Sequence, residues 1–151
     1  MGLKESRQVY ATNIDFAASG AMERGGIACT IPWADGLVYY PTGSGQVPVG
    51  ILLEDIEDLN PMTTPQYLQR NVSPLGSMVG IATEGEFWTD MIDTTPTYKT
   101  GEKLYLIGSG KLTNYTPGDA AVDRWVIGIC LEGKDSNNYI KIRLNMYQEG
   151  V

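Results

Sequence analysis

Asn138-Tyr-Ile-Lys-Ile-Arg-Leu-Asn145 alternates without a break, with Ile140, Ile142 and Leu144 on one side and Lys141, Arg143 and Asn145 on the other. Successive side chains of an extended strand point to opposite faces, so this period of two predicts a half-buried β-strand. Further short apolar segments lie at 25–31 (GGIACTI), 37–40 (LVYY), 47–53 (VPVGILL), 77–82 (SMVGIA), 86–92 (EFWTDMI), 102–107 (EKLYLI) and 125–131 (WVIGICL). Each is bounded by Gly, Pro, Asn or Asp, the residues that end strands in turns. Glu84-Gly85-Glu86 reads as a solvated turn between two of them. No long window repeats apolar residues at helical spacing. The best helical candidate, Pro65 to Arg70, is too short to stand without tertiary support and reads equally as strand.

The expectation is therefore an all-β fold, a compact antiparallel β-barrel or β-sandwich over residues 20–151. Residues 1–19 are polar and weakly patterned and read as an extended N-terminal arm. A chain of 151 residues is long enough for one domain with a real core, and 18 Gly with 8 Pro suit a turn-rich β protein. A weak internal repeat supports strand, glycine turn, strand twice over: VYYPTGSG (38–45) then VGILLED (49–55), and LYLIGSG (104–110) then IGICLEG (127–133).

Leu104 to Asn114, LYLIGSGKLTN, has the look of a phosphate-binding loop and fails the chemistry. A Walker loop needs glycine five positions before the Gly-Lys pair and Ser or Thr after the lysine; Tyr105 and Leu112 stand there. A dinucleotide fingerprint would need a third glycine where Thr113 stands. The remaining reading is two strands around a tight turn. The chain has no histidine, which removes the usual general base and the common nucleophile triads. Glu84 and Glu86 are the nearest thing to an acid pair, but paired catalytic carboxylates come from different elements around a cleft. Glu54, Asp55, Glu57 and Asp58 lack EF-hand spacing and read as an exposed acidic loop. No enzyme activity, metal or cofactor is expected.

A net charge of −7 with no basic cluster opposes nucleic-acid binding, which depends on a basic face. No apolar run approaches 20 residues, so no membrane-spanning helix is expected. The start MGLKES fits a myristoylation pattern that carries little information, and MGLKESRQ has no apolar core of an export signal. Without such a signal the sequons at Asn71 and Asn114 carry little weight, and Cys29 and Cys130, each in apolar text, read as buried free thiols, with a disulfide between them as the alternative.

The order of the segments AMERGGIACTI, PVGILLEDIED, GEFWTDMI, GEKLYLIGSGKLTN, VIGICLEGKD and NYIKIRLN resembles the small capsid decoration, or cement, proteins of tailed bacteriophages, over about residues 9 to 145. The resemblance implies a compact β domain, without catalysis, on the outer face of the expanded capsid. The implied partners are the major capsid protein and further copies of the chain, as a homotrimer or dimer, and the implied location is the virion after synthesis in the bacterial host cytoplasm. The family transfers no functional residues. From the residues themselves, the arm presents Leu3, Val9 and Tyr10 as anchors and Lys4 and Arg7 as partners for acidic capsid groups; the same stretch, Gln8 to Thr12, reads alternatively as a first strand. The rival reading is a small carbohydrate-binding or head-fibre module with Trp33, Tyr39, Tyr40, Trp88 or Trp125 as a stacking platform.

Overall fold

The computed structural model describes residues 8–13, 16–31, 34–41, 46–57, 72–76, 78–116 and 124–149. The alternating segments form strands: β1 (Gln8–Asn13), β2 (Ala17–Ala18), β3 (Ile27–Ile31), β4 (Ala34–Tyr39), β5 (Pro48–Leu52), β6 (Asp55–Glu57), β7 (Val72–Pro74), β8 (Ile81–Thr89), β9 (Lys103–Leu106), β10 (Leu112–Thr113), β11 (Trp125–Glu132) and β12 (Ile140–Gln148). In β12 the alternation is realised as read: Ile140, Ile142 and Leu144 are buried while Arg143 and Asn145 are exposed. The chain is all-β, and the 3₁₀ turn Gly108–Gly110 is its one helical element among the described residues. The candidate helix at 65–70 lies outside them.

Ten strands join in one sheet, ordered β10-β9-β11-β12-β8-β5-β3-β4-β2, with β1 also on β8. The sheet is mixed and open rather than wholly antiparallel and closed: β2 runs parallel to β4, and no pair links β10 to β2 among the described residues. It folds over one core in which Ile27, Cys29 and Ile51 meet Phe87, Leu104, Leu106, Ile127 and Ile142. The alternate residues Ala28 and Leu52 point the other way, into a second core with Val38, Ile56, Val79 and Ile81. Strands β3 and β5 are thus buried on both faces, which is why their text is continuously apolar. Each fully buried Ile or Leu contributes about 1.5–3 kcal/mol.

β8 corrects the reading of Glu84-Gly85-Glu86 as a turn, because one strand runs through it. Ala82 and Phe87 are five residues apart, so strict alternation would send them to opposite faces, yet both enter the first core. Between Ala11↔Glu84 and Thr12↔Ala82 β8 carries one extra residue, Thr83, the mark of a β-bulge, and Gly85 beside it adopts φ +145°. Ile81 and Ala82 pair with both β1 and β5, and Glu86 pairs with both β1 and β12. A strand has two edges. Strands β5 and β12 therefore share the edge that β1 does not occupy.

The sheet contains one unit twice. Ile27, Ala28 and Cys29 pair with Ile51, Gly50 and Pro48; Lys103, Leu104 and Tyr105 pair with Ile129, Gly128 and Val126, with the irregularity at the same step. Gly25 N–H donates to Leu52 and Leu52 N–H to Gly26, as Gly101 N–H donates to Cys130 and Cys130 N–H to Glu102. Ala18 lies parallel to Val38 as Ile92 does to Leu112. Thr12 and Asn13 of β1 pair with Ala82 and Ile81 as Glu86 and Phe87 of β8 pair with Arg143 and Ile142. So β8 closes the first copy and opens the second. The repeat read from sequence was right for VGILLED against IGICLEG and misaligned before it. Tyr39 matches Thr113, and Gly36 (φ +74°) matches Gly110 (φ +70°); β4 and β5 are separated by β3.

Gly50 and Gly128, equivalent in the two copies, sit where a Cβ would overlap the carbonyl of the neighbouring strand, at Ala82 and Arg143 respectively. Ala at either position must push strands apart, so each variant should lose about 1–3 kcal/mol in denaturant melts. Gly108→Ala, with open space around it, should stay within about 0.5 kcal/mol of wild type.

Candidate interaction surface

In the Gly-Ser-Gly turn, Gly110 serves packing. Ser109 and Gly110 adopt positive φ, closing the loop between β9 and β10, where Ile107 N–H donates to Lys111. A Cβ on Gly110 would overlap the Tyr40 ring, and so would one on Gly26. Tyr40 is therefore clamped between the Glu23–Gly26 turn of the first copy and the Gly108–Gly110 turn of the second. Its hydroxyl accepts from Glu23 N–H at 2.6 Å and donates to Glu23 C=O at 2.8 Å. Burial pushes the phenol up to about 12, so it stays protonated and keeps donating.

Beside this clamp lies an open groove of about 410 Å³ lined by Ala21, Met22, Glu23, Tyr40, Asp55, Ile56 and Glu57. Its base is apolar, Met22 and Ile56 exchanging main-chain hydrogen bonds, and its rim is acidic. Asp55 accepts the Arg24 N–H at 2.8 Å, so one carboxylate of the acidic loop has a structural task. At the matching place in the second copy, Tyr98 is buried and donates to Asp93 C=O. Lys134 reaches Thr94 C=O, and the Asn114 amide bonds Thr97 and Glu102. The Asn114 side chain of that sequon is thus engaged in the fold, while Asn71 lies outside the described residues.

The other candidates are dispersed. Glu86 lies 3.8 Å from Lys141 and 3.6 Å from Arg143, and Glu84 is exposed. Among the described residues, no three of His, Cys, Asp or Glu are grouped to hold a metal; Asp58 lies outside them. Tyr39 covers Gly20 and packs with Tyr40 on the second core, at 6.1 Å between rings. Trp125 packs on the first core, and Trp88 pairs in register with Lys141. These aromatics form no common platform, and Trp33 lies outside the described residues. Cys29 and Cys130 are free and buried; burial raises both thiols, Cys29 to about 12.

Of the arm residues, Val9 and Tyr10 lie within β1, Val9 opposite Gly85 and Tyr10 at the register shift that follows. Leu3, Lys4 and Arg7 lie outside the described residues. No helix among the described residues is long and apolar enough to cross a membrane. The strand pairing of 8–13 and the Tyr40 clamp were the features sequence reasoning left open or missed. A tyrosine carries no signal of its own, but two glycine turns that both need a ring's worth of space are such a signal in retrospect. No family model matches the chain, and no curated protein matches it.

Tyr40→Phe keeps the ring and removes both hydroxyl hydrogen bonds. It should cost about 1 kcal/mol, read as a fall in melting temperature of about 2–4 °C for a chain of this size. The Asp93 carboxylate accepts from Thr95 N–H and Tyr115 O–H, and the Thr95 bond foremost holds its pKa below the ordinary value. With the folded pKa below the unfolded one, this contribution is complete above about pH 4 and is lost as pH falls through the folded value. The Thr95 amide resonance should titrate in that acidic window and stop titrating in Asp93→Asn.

Proposed function

We propose that the chain is a non-catalytic structural protein of a phage virion that docks on the outer capsid surface and stabilises the expanded lattice, as a homo-oligomer. The observation that carries this reading beyond the segment resemblance is the duplication. A lattice of repeated subunits offers one contact many times, and a chain with one unit twice offers the matching contact twice at fixed spacing. Each contact can be weak, because the second forms at high effective concentration. Binding only to the expanded lattice then stabilises it by mass action.

Charge gives the docked chain a direction. Residues 16–89 hold eight acidic and two basic side chains, residues 90–151 eight and seven, so the first copy carries nearly all of the net charge of −7. Such a skew orients approach to a partner surface and weakens with salt. The aromatic side chains a sugar-binding module would need are spent on packing at Tyr39, Tyr40 and Trp125.

The test is decoration of capsids assembled from the major capsid protein of the same genome, read by cryo-electron microscopy and by the temperature of capsid disassembly. Saturable density at equivalent lattice positions with a raised disassembly temperature is expected. Unchanged, undecorated capsids at saturating protein would overturn the proposal.

A further inference from the structure

In the first copy, the β1 ladder follows β8 through Glu86, Gly85, Glu84, Ala82 and Ile81. In the second, β8 takes the place of β1 and follows β12 only from Ile140 to Arg143. It cannot go further, because past the bulge that edge of β8 belongs to β5 through Ala82 and Ile81. The two strands fork. A groove of about 460 Å³ opens between Thr83, Glu84 and Gly85 on one side and Arg143, Leu144, Asn145 and Met146 on the other. Beyond Arg143, β12 pairs among the described residues only with β11, through Leu144, Tyr147 and Gln148. Its edge toward β8 therefore offers main-chain N–H and C=O groups with no strand on them among the described residues.

The duplication says what fits such an edge: the equivalent stretch of β8 is covered by the first half of β1, an N-terminal strand. We infer that the fork of one chain receives residues 1–7 of a second copy as an added strand on β12. A chain's own β1 is badly placed to feed this edge. That strand starts at Gln8, opposite Glu86, on the edge of β8 away from its own fork and at the end nearer Thr89. Seven extended residues span about 23 Å, ample for the five residues from Leu144 to Gln148. Both signs of charge stand at the mouth, Glu84 and Arg143, and both occur in the segment, Lys4, Glu5 and Arg7. Leu3 supplies the apolar side chain for the inner face beside Met146, which packs on the first core. This association is head to tail, the kind that closes into rings, and it does not rest on the capsid reading.

With Leu3 on the inner face, its neighbour Lys4 shares the outer face with exposed Asn145, so the experiment mixes two full-length variants, Lys4→Cys and Asn145→Cys, under mild oxidant and reads disulfides by mass spectrometry. The native thiols are buried and do not compete. Expected is a mixed disulfide between the two chains at least tenfold above that formed by Lys4→Cys with Gly108→Cys, an exposed turn elsewhere. Asn145→Pro, at a residue outside the β11 ladder, should lower the oligomer mass in light scattering, as should deletion of residues 1–7. Cross-linking equal to the Gly108 control overturns the proposal. So does a Lys4→Cys/Asn145→Cys double variant that closes only within one chain.

Discussion

Strand β8 has to be two things at once, and the bulge at Thr83, beside Gly85, permits it. A strand that kept strict alternation from Ile81 to Thr89 would place either Ala82 or Phe87 on the wrong face, stripping the first core of a contributor from one copy. With the bulge, the first half of β8 pairs with β5 and the second with β12, and the two halves point into the same interior. Everything distal follows: the palindromic look of the strand order, two cores separated by β3 and β5, and the fork between β8 and β12.

The copies agree where geometry is strict and differ where it is not. Gly50 and Gly128 are kept because a neighbouring carbonyl occupies the space of a side chain. Leu53-Glu54 and Leu131-Glu132 follow them at the same positions. The turns have diverged: Tyr40 and an open, acid-rimmed groove in one copy face Asn114, Tyr98 and Lys134 in the other. Constraint from the backbone of an adjacent strand preserves a residue type more strictly than constraint from a side chain, which a compensating change can replace.

Much of this was legible in the text. Period-two segments such as Asn138 to Asn145 marked the strands, and continuous apolar segments marked those buried on both faces. The phosphate-loop pattern at Gly108 to Lys111 was rightly read as a turn. Less visible was Gly85, since Glu-Gly-Glu has the same composition as a solvated turn and only the cross-strand partners distinguish a bulge. The repeat was half legible because the eye aligned one Gly-Ser-Gly with the other, whereas the hydrogen bonds align Asp35-Gly36 with Ser109-Gly110. Two-residue strands such as β2 and β10 carry too few residues to show a period at all.

The central claim is that two copies share one strand and so cannot unfold separately. Native-state hydrogen exchange tests it most directly, by comparing the amides of Ala28 and Ile51, of Ala82 and Phe87, and of Leu104 and Ile129 across rising denaturant. All six should merge into one opening with the free energy and denaturant dependence of global unfolding. Exchange of the first copy's amides at a lower free energy, with Leu104 and Ile129 still protected, would show two independent units and contradict it.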